Sequence, residues 1–322
     1  MKKPVQLSKN IFLIDDHDLG LEERTGTYVL TARDLTLIET SASPSVPYLL
    51  NGLSHLGLSA DDVKYIIVTH IHLDHAGGAG AFLEHCPNAQ VIVHPKGRRH
   101  LADPSRLIAG AKAVYREKFE ALFHPVVPVP NDRLLAKGHG DTLEIDEGCL
   151  LTFYDSPGHA NHHFSIYHPQ ANGMFTGDTA GIFYPQLYQK GIELYIPSTS
   201  PNQFDPEKML ASIGLFRKMN LDCLFFGHYG MSDHPEEAYK QVEDWLERFL
   251  QEAQSVFEAE GDLPTQTAVL KNRLFDRLKI FLQARGVQEN DPVLELILLD
   301  LEISSMGLID YLKKKNMNGS KP

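Results

Sequence analysis

This chain is constrained most by the six residues at positions 70–75, which read His-Ile-His-Leu-Asp-His. They come directly after an apolar run of valines and isoleucines that is typical of a buried strand. Side chains alternate along an extended segment, so His70 and His72 project to the same side and can bind one cation. Asp74 and His75 lie beyond the strand end and can point towards a second position. The spacing therefore predicts a site for two metal ions.

Three later segments can supply the ligands that this run lacks, because zinc in tetrahedral sites takes about four N, O or S ligands. Each segment follows a strand-like run and places glycine beside a polar side chain, which lets the backbone turn tightly. They contain His159 in Ser-Pro-Gly-His, Asp178 in Thr-Gly-Asp-Thr and His228 in Gly-His-Tyr-Gly. Four ligand-bearing loops after four strands predict one cluster at one edge of a sheet.

Several polar residues near these motifs leave alternatives open. His162 and His163 are close enough to His159 to compete as ligands, but neither follows the Pro-Gly turn, which favours His159. Asp178 could be an ordinary turn aspartate that bonds its own backbone. Its position between His159 and His228 favours a metal bridge instead. Another cluster, near a predicted hairpin loop, is expected to be solvated: Asp15, His17 and Asp18.

With these motifs the chain resembles the metallo-β-lactamase superfamily, whose HxHxDH signature matches residues 70–75. The resemblance covers roughly residues 10–260 and is strongest to the lactonase and glyoxalase-II-like hydrolases. It implies two metal sites and a bridge, with these ligands: His70, His72 and His159 for the first metal, Asp74, His75 and His228 for the second, and Asp178 between them.

The resemblance also implies two catalytic candidates and one departure. Asp74, with one oxygen on metal, would orient the attacking hydroxide and take up a proton. In the lactonases a tyrosine shortly after the bridging aspartate contacts the substrate carbonyl oxygen, and here the nearest tyrosine is Tyr184. The family usually has an aspartate before threonine or serine at the end of the strand predicted over 35–40, where this chain has Glu39.

The expected chemistry is hydrolysis by a metal-bound hydroxide, since zinc lowers the pKa of its water to about 7 and a second metal polarises the substrate oxygen. Zinc is favoured, although manganese and iron accept the same N and O ligands. The resemblance makes an ester or lactone of a small molecule the first choice of substrate and a glyoxalase-II-type thioester the second. A phosphodiesterase and a non-catalytic, metal-stabilised binding protein are further alternatives.

Composition argues against several other classes of protein. The 322 residues are 43% hydrophobic, which suits a globular chain with a sizeable core. A formal net charge of -12 disfavours nucleic acid as a partner, because binding relies on neutralising phosphates with Lys and Arg. The 3 cysteines are widely separated and predict no disulfide framework. No apolar run reaches the ~18 residues of a membrane span, and no apolar signal segment follows the first lysines. We expect a cytoplasmic protein without membrane contact.

The predicted elements form two similar series, in each of which strands and helices are interleaved. The first series has strands over 10–15, 27–31, 35–40, 63–69 and 90–94 and helices over 47–56 and 79–85. The second has strands over 143–145, 150–154, 163–167, 174–176 and 223–226 and helices over 206–219 and 235–259. Two similar series predict two sheets packed face to face with helices outside. This is the α/β, four-layer αββα sandwich of the superfamily, expected as a catalytic domain over residues 1–260.

Three further segments have open roles. Residues 96–130 contain a helical stretch over 107–123, which is either a surface helix packed on the core or a lid or homodimer contact. Residues 181–200 leave the predicted bridge and are expected to shape substrate specificity. Residues 261–322 are expected to be an all-helical C-terminal extension, with helices over 265–284 and 292–315.

The C-terminal extension has two notable patterns. Its leucine-rich second helix is too apolar to be freely solvated, so it either docks on the sandwich or forms a homodimer. Its first helix carries a basic stretch, which is either a solvated face or, if it faces the pocket, a site for an anionic substrate arm. That stretch consists of Lys271, Arg273, Arg277 and Lys279.

Overall fold

A computed structural model of the chain describes residues 2–259 and 261–319. The chain divides into two compact units, and each unit is assembled from several segments. The first unit comprises Met1–Ser156, His162–Gly177 and Asn220–Pro235. The second unit comprises Pro157–Asn161, Asp178–Met219 and Glu236–Pro322.

A seven-stranded sheet in the first unit carries the histidine-rich run at the end of one of its central strands. The strands lie in sequence order, antiparallel from β1 to β4 and parallel from β4 to β7. They are β1 (Val5–Ser8), β2 (Ile11–Asp15), β3 (Gly26–Leu30), β4 (Leu35–Ile38), β5 (Val63–Ile67), β6 (Gln90–Val93) and β7 (Leu134–Ala136). Because β4 and β5 are parallel, the loops that begin at Glu39 and Val68 start from the same edge.

A six-stranded sheet, also in the first unit, has the order β15-β14-β11-β10-β9-β8. Its strands are β8 (Thr142–Asp146), β9 (Cys149–Asp155), β10 (Phe164–His168), β11 (Gly173–Gly177), β14 (Cys223–Phe226) and β15 (Met231–Ser232), while β12 (Ile182–Phe183) and β13 (Tyr195–Ile196) pair separately in the second unit. Strands β11 and β14 are parallel, so both of their carboxyl ends reach the same edge. The Gly227 amide donates to the Gly177 carbonyl there at 3.2 Å.

The main core of the first unit lies between these two sheets. One continuous apolar cluster joins side chains of both sheets, with Ile11, Tyr28 and Ile67 from the first and Phe153 and Phe175 from the second. Each such buried side chain contributes roughly 1.5–3 kcal/mol relative to an exposed one. A second cluster covers the other face of the seven-stranded sheet with helices α1 (Val46–His55), α2 (Leu73–Ala76), α3 (Ala79–Leu83) and α4 (Pro95–Ala102). The predicted α/β sandwich is therefore confirmed.

The helical stretch predicted over 107–123 is broken. It forms α5 (Ser105–Tyr115) and α6 (Phe119–Phe123), which are separated at Arg116, where φ is 50°. Phe119 and Phe123 are buried in a small cluster with Ala42 and Leu73. Packing on the core, one of the two predicted roles, is confirmed for this stretch.

The second unit is mainly helical. It contains α7 (Pro185–Tyr188), α8 (Pro206–Lys218), α9 (Pro235–Phe257), α10 (Leu263–Gln283) and α11 (Val293–Gly319). The buried face of α10 consists of leucines four residues apart, which is the spacing of one helix face: Leu270, Leu274, Leu278 and Leu282. The ring centroids of Trp245 on α9 and Phe281 on α10 are 5.4 Å apart. The predicted C-terminal helices are confirmed.

The basic stretch on α10 is engaged by acidic neighbours. Arg273 and Arg277 both pair with Glu252. Lys271 pairs with Glu302, and Lys279 pairs with Glu289. This arrangement supports the interpretation as a solvated face. Among the described residues, no helix combines the length and the apolar character needed to cross a membrane.

Candidate metal centre

The histidine-rich run leaves β5 and closes into one helical turn. The amides of His75 and Ala76 donate to the carbonyl of His72 at 3.0 and 2.9 Å, which begins α2 directly after the extended segment. His70 and His75 are buried, whereas His72 and Asp74 are partly exposed. The strand end therefore presents the first two histidines, and the turn presents Asp74 and His75.

Asp74, His75 and His228 converge within the first unit. Oδ2 of Asp74 lies 3.8 Å from Nε2 of His75 and 3.9 Å from Nε2 of His228. One ligand atom from each of the three residues lies within 4.8 Å of the others. Zinc with bonds of about 2.0–2.2 Å to N and O would separate its ligands by roughly 3–4 Å. This donor set therefore fits one divalent ion.

His70 and His72 also face each other through ring nitrogens. Nε2 of His70 lies 3.0 Å from Nδ1 of His72, and the rings are nearly perpendicular. The Thr69 hydroxyl lies 3.0 Å from the other nitrogen of His70, its Nδ1. This contact leaves Nε2 as the nitrogen of His70 that is directed towards His72, as the alternating strand pattern predicts.

Glu39 supports this group from the end of the neighbouring strand. Its buried Oε1 accepts hydrogen bonds from the amide and the hydroxyl of Thr69 and lies 3.8 Å from Nδ1 of His75. A carboxylate on the outer nitrogen of a ligating histidine fixes its tautomer and ring orientation. Glu39 thus bonds Thr69, which contacts His70, and places a negative charge 3.8 Å from Nδ1 of His75. Glu39, His70 and His75 also form a group in which one ligand atom from each residue lies within 4.8 Å of the other two.

The loop between β2 and β3 contains a buried arginine, Arg24, that the sequence interpretation missed. Arg24 is buried, with Nη1 3.0 Å from Nδ1 of His228 and Nε 3.4 Å from Oδ2 of Asp18. Burial raises the pKa of Asp18 to about 6, although the charge of Arg24 opposes this shift. His228 lies 204 residues from Arg24 along the chain, so no local spacing in the sequence could indicate the contact.

The expectation that this loop is solvated is wrong. Asp15 is 8% exposed, and its carboxylate accepts the amides of His17 and Glu23 at 3.1 and 3.0 Å. Asp18 is 1% exposed. In the folded loop, backbone amides bond the Asp15 carboxylate and Arg24 places a positive charge beside Asp18.

The second unit brings His159 and Asp178 together. Nε2 of His159 lies 3.6 Å from Oδ2 of Asp178, while its Nδ1 donates to the carbonyl of Ser198 at 3.0 Å. The preceding Gly158 has φ 140°, and a β carbon there would overlap the backbone of Met209 on α8. Glycine is therefore required in the turn that presents His159.

The competing histidines belong to the first unit and have other contacts. Nδ1 of His163 lies 2.9 Å from the hydroxyl of Ser156, and its ring stacks on His70 with centroids 5.0 Å apart. The ring centroid of His162 lies 5.5 Å from that of His72. The contact of His159 with Asp178 agrees with the preference for His159.

Tyr184 is fully buried in the second unit. Its hydroxyl donates to Oδ2 of Asp300 on α11 at 2.8 Å. The sequence did not indicate this carboxylate partner. The contact of Tyr184 with a substrate carbonyl stays a prediction.

The predicted site residues thus occur in two sets. The first set, in the first unit, is His70, His72, Asp74, His75 and His228. The second set, in the second unit, is His159 and Asp178. Imidazole and carboxylate donors of this kind suit zinc, manganese or iron.

The family model of the metallo-beta-lactamase superfamily matches residues 22–228, which is more than half of the chain. The chain belongs to this superfamily. It is 28% identical to an N-acyl homoserine lactonase of Bacillus thuringiensis over 186 residues, 56% of this chain and 61% of that protein. It is 33% identical to the N-acyl homoserine lactonase AttM of Azorhizobium caulinodans over 111 residues, 34% of this chain and 38% of that protein. The chain thus spans about three fifths, or less, of the length of these lactonases.

Solved structures show the same fold. The archaeal superfamily protein ST1585 from Sulfolobus tokodaii matches with a TM-score of 0.65 and 19% identity, over 94% of this chain and 98% of that one. The metallo-beta-lactamase family protein TTHA1429 from Thermus thermophilus matches with a TM-score of 0.68 and 18% identity, over 97% of this chain and 95% of that one. The predicted resemblance to the lactonase-like branch is confirmed by the sequence relatives.

Proposed function

We propose that this protein is a metal-dependent hydrolase that cleaves an ester or lactone bond of a small molecule. The observation that carries the proposal is the convergence of Asp74, His75 and His228, whose ligand atoms lie within 4.8 Å of one another. Membership of the superfamily and the lactonase relatives support the same chemistry.

All seven predicted ligands take part in this proposal. His70, His72 and His159 would hold one ion, Asp74, His75 and His228 would hold another, and Asp178 would bridge them. When bound, two divalent ions, with zinc favoured, would supply a hydroxide nucleophile at neutral pH and polarise the substrate carbonyl.

Two side chains are assigned the remaining roles, which are proton transfer and orientation of a ligand. Asp74 has 17% of its side chain exposed, against 1% for His75 and 6% for His228, so Asp74 is the member of this group most open to water. Its Oδ2 faces the two histidines, which leaves Oδ1 to take up the proton of the attacking hydroxide and pass it to the leaving oxygen. The Glu39 carboxylate, 3.8 Å from Nδ1 of His75, favours a proton on that nitrogen and so leaves Nε2 for the metal.

The substrate class rests on the relatives and on charge. N-acyl homoserine lactonases are matched at 28–33% identity, which favours a lactone. The basic stretch of α10 pairs with the chain's own glutamates, so it offers less support for the anionic arm of a glutathione thioester. The net charge of -12 disfavours a phosphodiester in a nucleic acid.

A substrate panel on one preparation of the full chain tests the proposal. We expect N-acyl homoserine lactones to be hydrolysed faster than S-lactoylglutathione, bis-p-nitrophenyl phosphate and a β-lactam. Chelator should abolish this activity and added zinc should restore it. Turnover that resists chelator would contradict the metal-dependent mechanism, and a preference for S-lactoylglutathione would replace the lactone by the thioester. A cytoplasmic location and a homodimer contact through residues 96–130 or the C-terminal helices stay predictions.

A further inference from the structure

Residues 198–200, which we call the serine strap, contact both metal-ligand candidates of the second unit. The Ser198 carbonyl accepts from Nδ1 of His159 at 3.0 Å, and the Ser198 hydroxyl donates to Oδ2 of Asp178 at 3.0 Å. The Ser200 hydroxyl donates to the backbone carbonyl of His159 at 3.2 Å. All three strap residues are buried. One short segment therefore sets the orientation of both side chains.

Helix α11 also contacts the strap. Ser304 accepts through its carbonyl a 2.8 Å hydrogen bond from the Thr199 hydroxyl. One turn earlier, Asp300 accepts from Tyr184 at 2.8 Å. Residues separated by three or four positions share one face of a helix, so these contacts define a single face of α11.

Gly307 continues this face and allows the closest approach. A β carbon at Gly307 would overlap the carbonyl oxygen of Thr199 and crowd the carbonyl carbon of Ser200. Glycine weakens a helix interior relative to alanine, so its presence in α11 needs a reason. The strap provides this reason, since no other residue type fits beneath it without displacement.

We propose that α11 is a positioning element for the metal centre and that Ser198 is its positioning residue. Ser304 and Gly307, on one face of α11, contact the strap, and the strap contacts His159 and Asp178. This inference rests on the proposed function because it assigns these contacts to ligands of a metal ion.

The hydrogen bonds have the directions that metal ligation needs. A histidine that donates from Nδ1 to a carbonyl keeps its lone pair on Nε2, and this nitrogen of His159 faces Asp178 at 3.6 Å. A carboxylate that accepts a hydroxyl at Oδ2 is fixed in rotation and retains further lone pairs for a cation. Loss of such supporting partners typically costs 10–100-fold in metal affinity or activity.

The first experiment compares Ser198→Ala with Ser198→Thr in the full chain. We expect Ser198→Ala to weaken zinc binding 10–100-fold in competition with a chromophoric chelator. The visible spectrum of the cobalt-loaded protein should change as well, because that spectrum reports ligand geometry without turnover. Ser198→Thr retains the hydroxyl and should restore both properties.

The matched control is Gln266→Ala. Gln266 is also buried in the second unit, and its side-chain amide donates to the carbonyls of Phe257 and Ala259 at 3.2 and 3.1 Å, outside the segments that carry ligand candidates. Its loss should leave zinc affinity and the cobalt spectrum unchanged. Equal weakening in Gln266→Ala and Ser198→Ala would overturn the assignment, because it would show a general effect of lost packing.

The second experiment tests α11 through two helical glycines. Gly307→Ala should weaken zinc binding by displacing the strap, even though alanine favours the helix. Gly214→Ala in α8 meets nothing within 4 Å and should have no such effect. If wild type binds zinc and both Ser198→Ala and Gly307→Ala bind it with wild-type affinity and spectrum, the positioning role is wrong while the proposed function stands. A wild-type chain that binds no divalent metal would overturn both.

Discussion

The two sets of candidate ligands are held in different ways. In the first unit, four ligands lie within positions 70–75, and Glu39 at the end of the adjacent parallel strand contacts Thr69 and His75 of this segment. In the second unit, β10 and β11 separate His159 from Asp178 in sequence, and their support comes from the serine strap. The strap is anchored at Ser304, 105 residues beyond Thr199. A short motif can therefore specify the chemistry of a ligand set, while its rigidity depends on remote parts of the chain.

The largest expected effect comes from removing one ligand in each set. His72→Ala in the first unit and Asp178→Asn in the second should each reduce lactone hydrolysis to the level of the buffer blank, because the proposed function assigns both sets to one reaction. His85→Ala removes an exposed histidine outside both sets and should retain wild-type activity. If only one of the two ligand variants loses activity, the two sets do not act together.

A smaller effect is expected from Glu39→Gln, which tests the support of the first set. The amide retains an acceptor for Thr69 but removes the negative charge 3.8 Å from Nδ1 of His75. We expect zinc affinity to fall 10–100-fold, measured by chelator competition. Glu84→Gln, at an exposed position of the same unit, should bind zinc as wild type does. Unchanged affinity in Glu39→Gln would show that the strand end alone holds these histidines.

In the second unit, Tyr184→Phe is expected to have a still smaller effect on activity. We expect lower turnover with metal content retained, and a loss of about 1–3 kcal/mol in the free energy of unfolding, because buried Asp300 loses its tyrosine donor. Tyr195→Phe is the matched control, since Tyr195 is equally buried and donates to Glu193. A wild-type rate in Tyr184→Phe would exclude Tyr184 as a donor to the substrate carbonyl.

The smallest effect on the metal centre is expected from His168→Asn. This variant tests how a buried histidine outside both ligand sets contributes to the loss of folding stability in acid. Burial lowers the pKa of His168 to about 4, so the folded chain resists its protonation. The unfolded chain binds the proton near pH 6.5, and stability is therefore lost as pH falls from about 6.5 to 4, by on the order of 2–3 kcal/mol. Asparagine can still accept the Ala171 amide but does not titrate.

Denaturant unfolding at pH 7 and pH 4.5 measures this difference between wild type and His168→Asn. The variant should lose less stability on acidification while its activity at pH 7 is unchanged. Parallel losses in the two proteins would mean that other groups, and not His168, govern the acid sensitivity.

Local patterns predicted much of the fold. The helix predicted over 206–219 is α8 (Pro206–Lys218), and the strand predicted over 90–94 is β6 (Gln90–Val93). Asp205 caps α8 by accepting the Lys208 amide at 3.2 Å, which is a signal that short sequence windows contain. The break at Arg116 was missed because the apolar spacing continues across it. Short β1 and β7 were missed because neither segment has enough alternation to mark a strand.

The sequence by itself determined the family, the α/β sandwich and the identity of the candidate ligands, because each depends on residue types at close spacing. Tertiary structure alone decided that Arg24 reaches His228, that Asp18 is buried and that Gly307 lies beneath Thr199. Hydrogen bonds and close backbone contacts between residues far apart in sequence leave no periodic trace in the chain. They exist only once packing has brought the partners together.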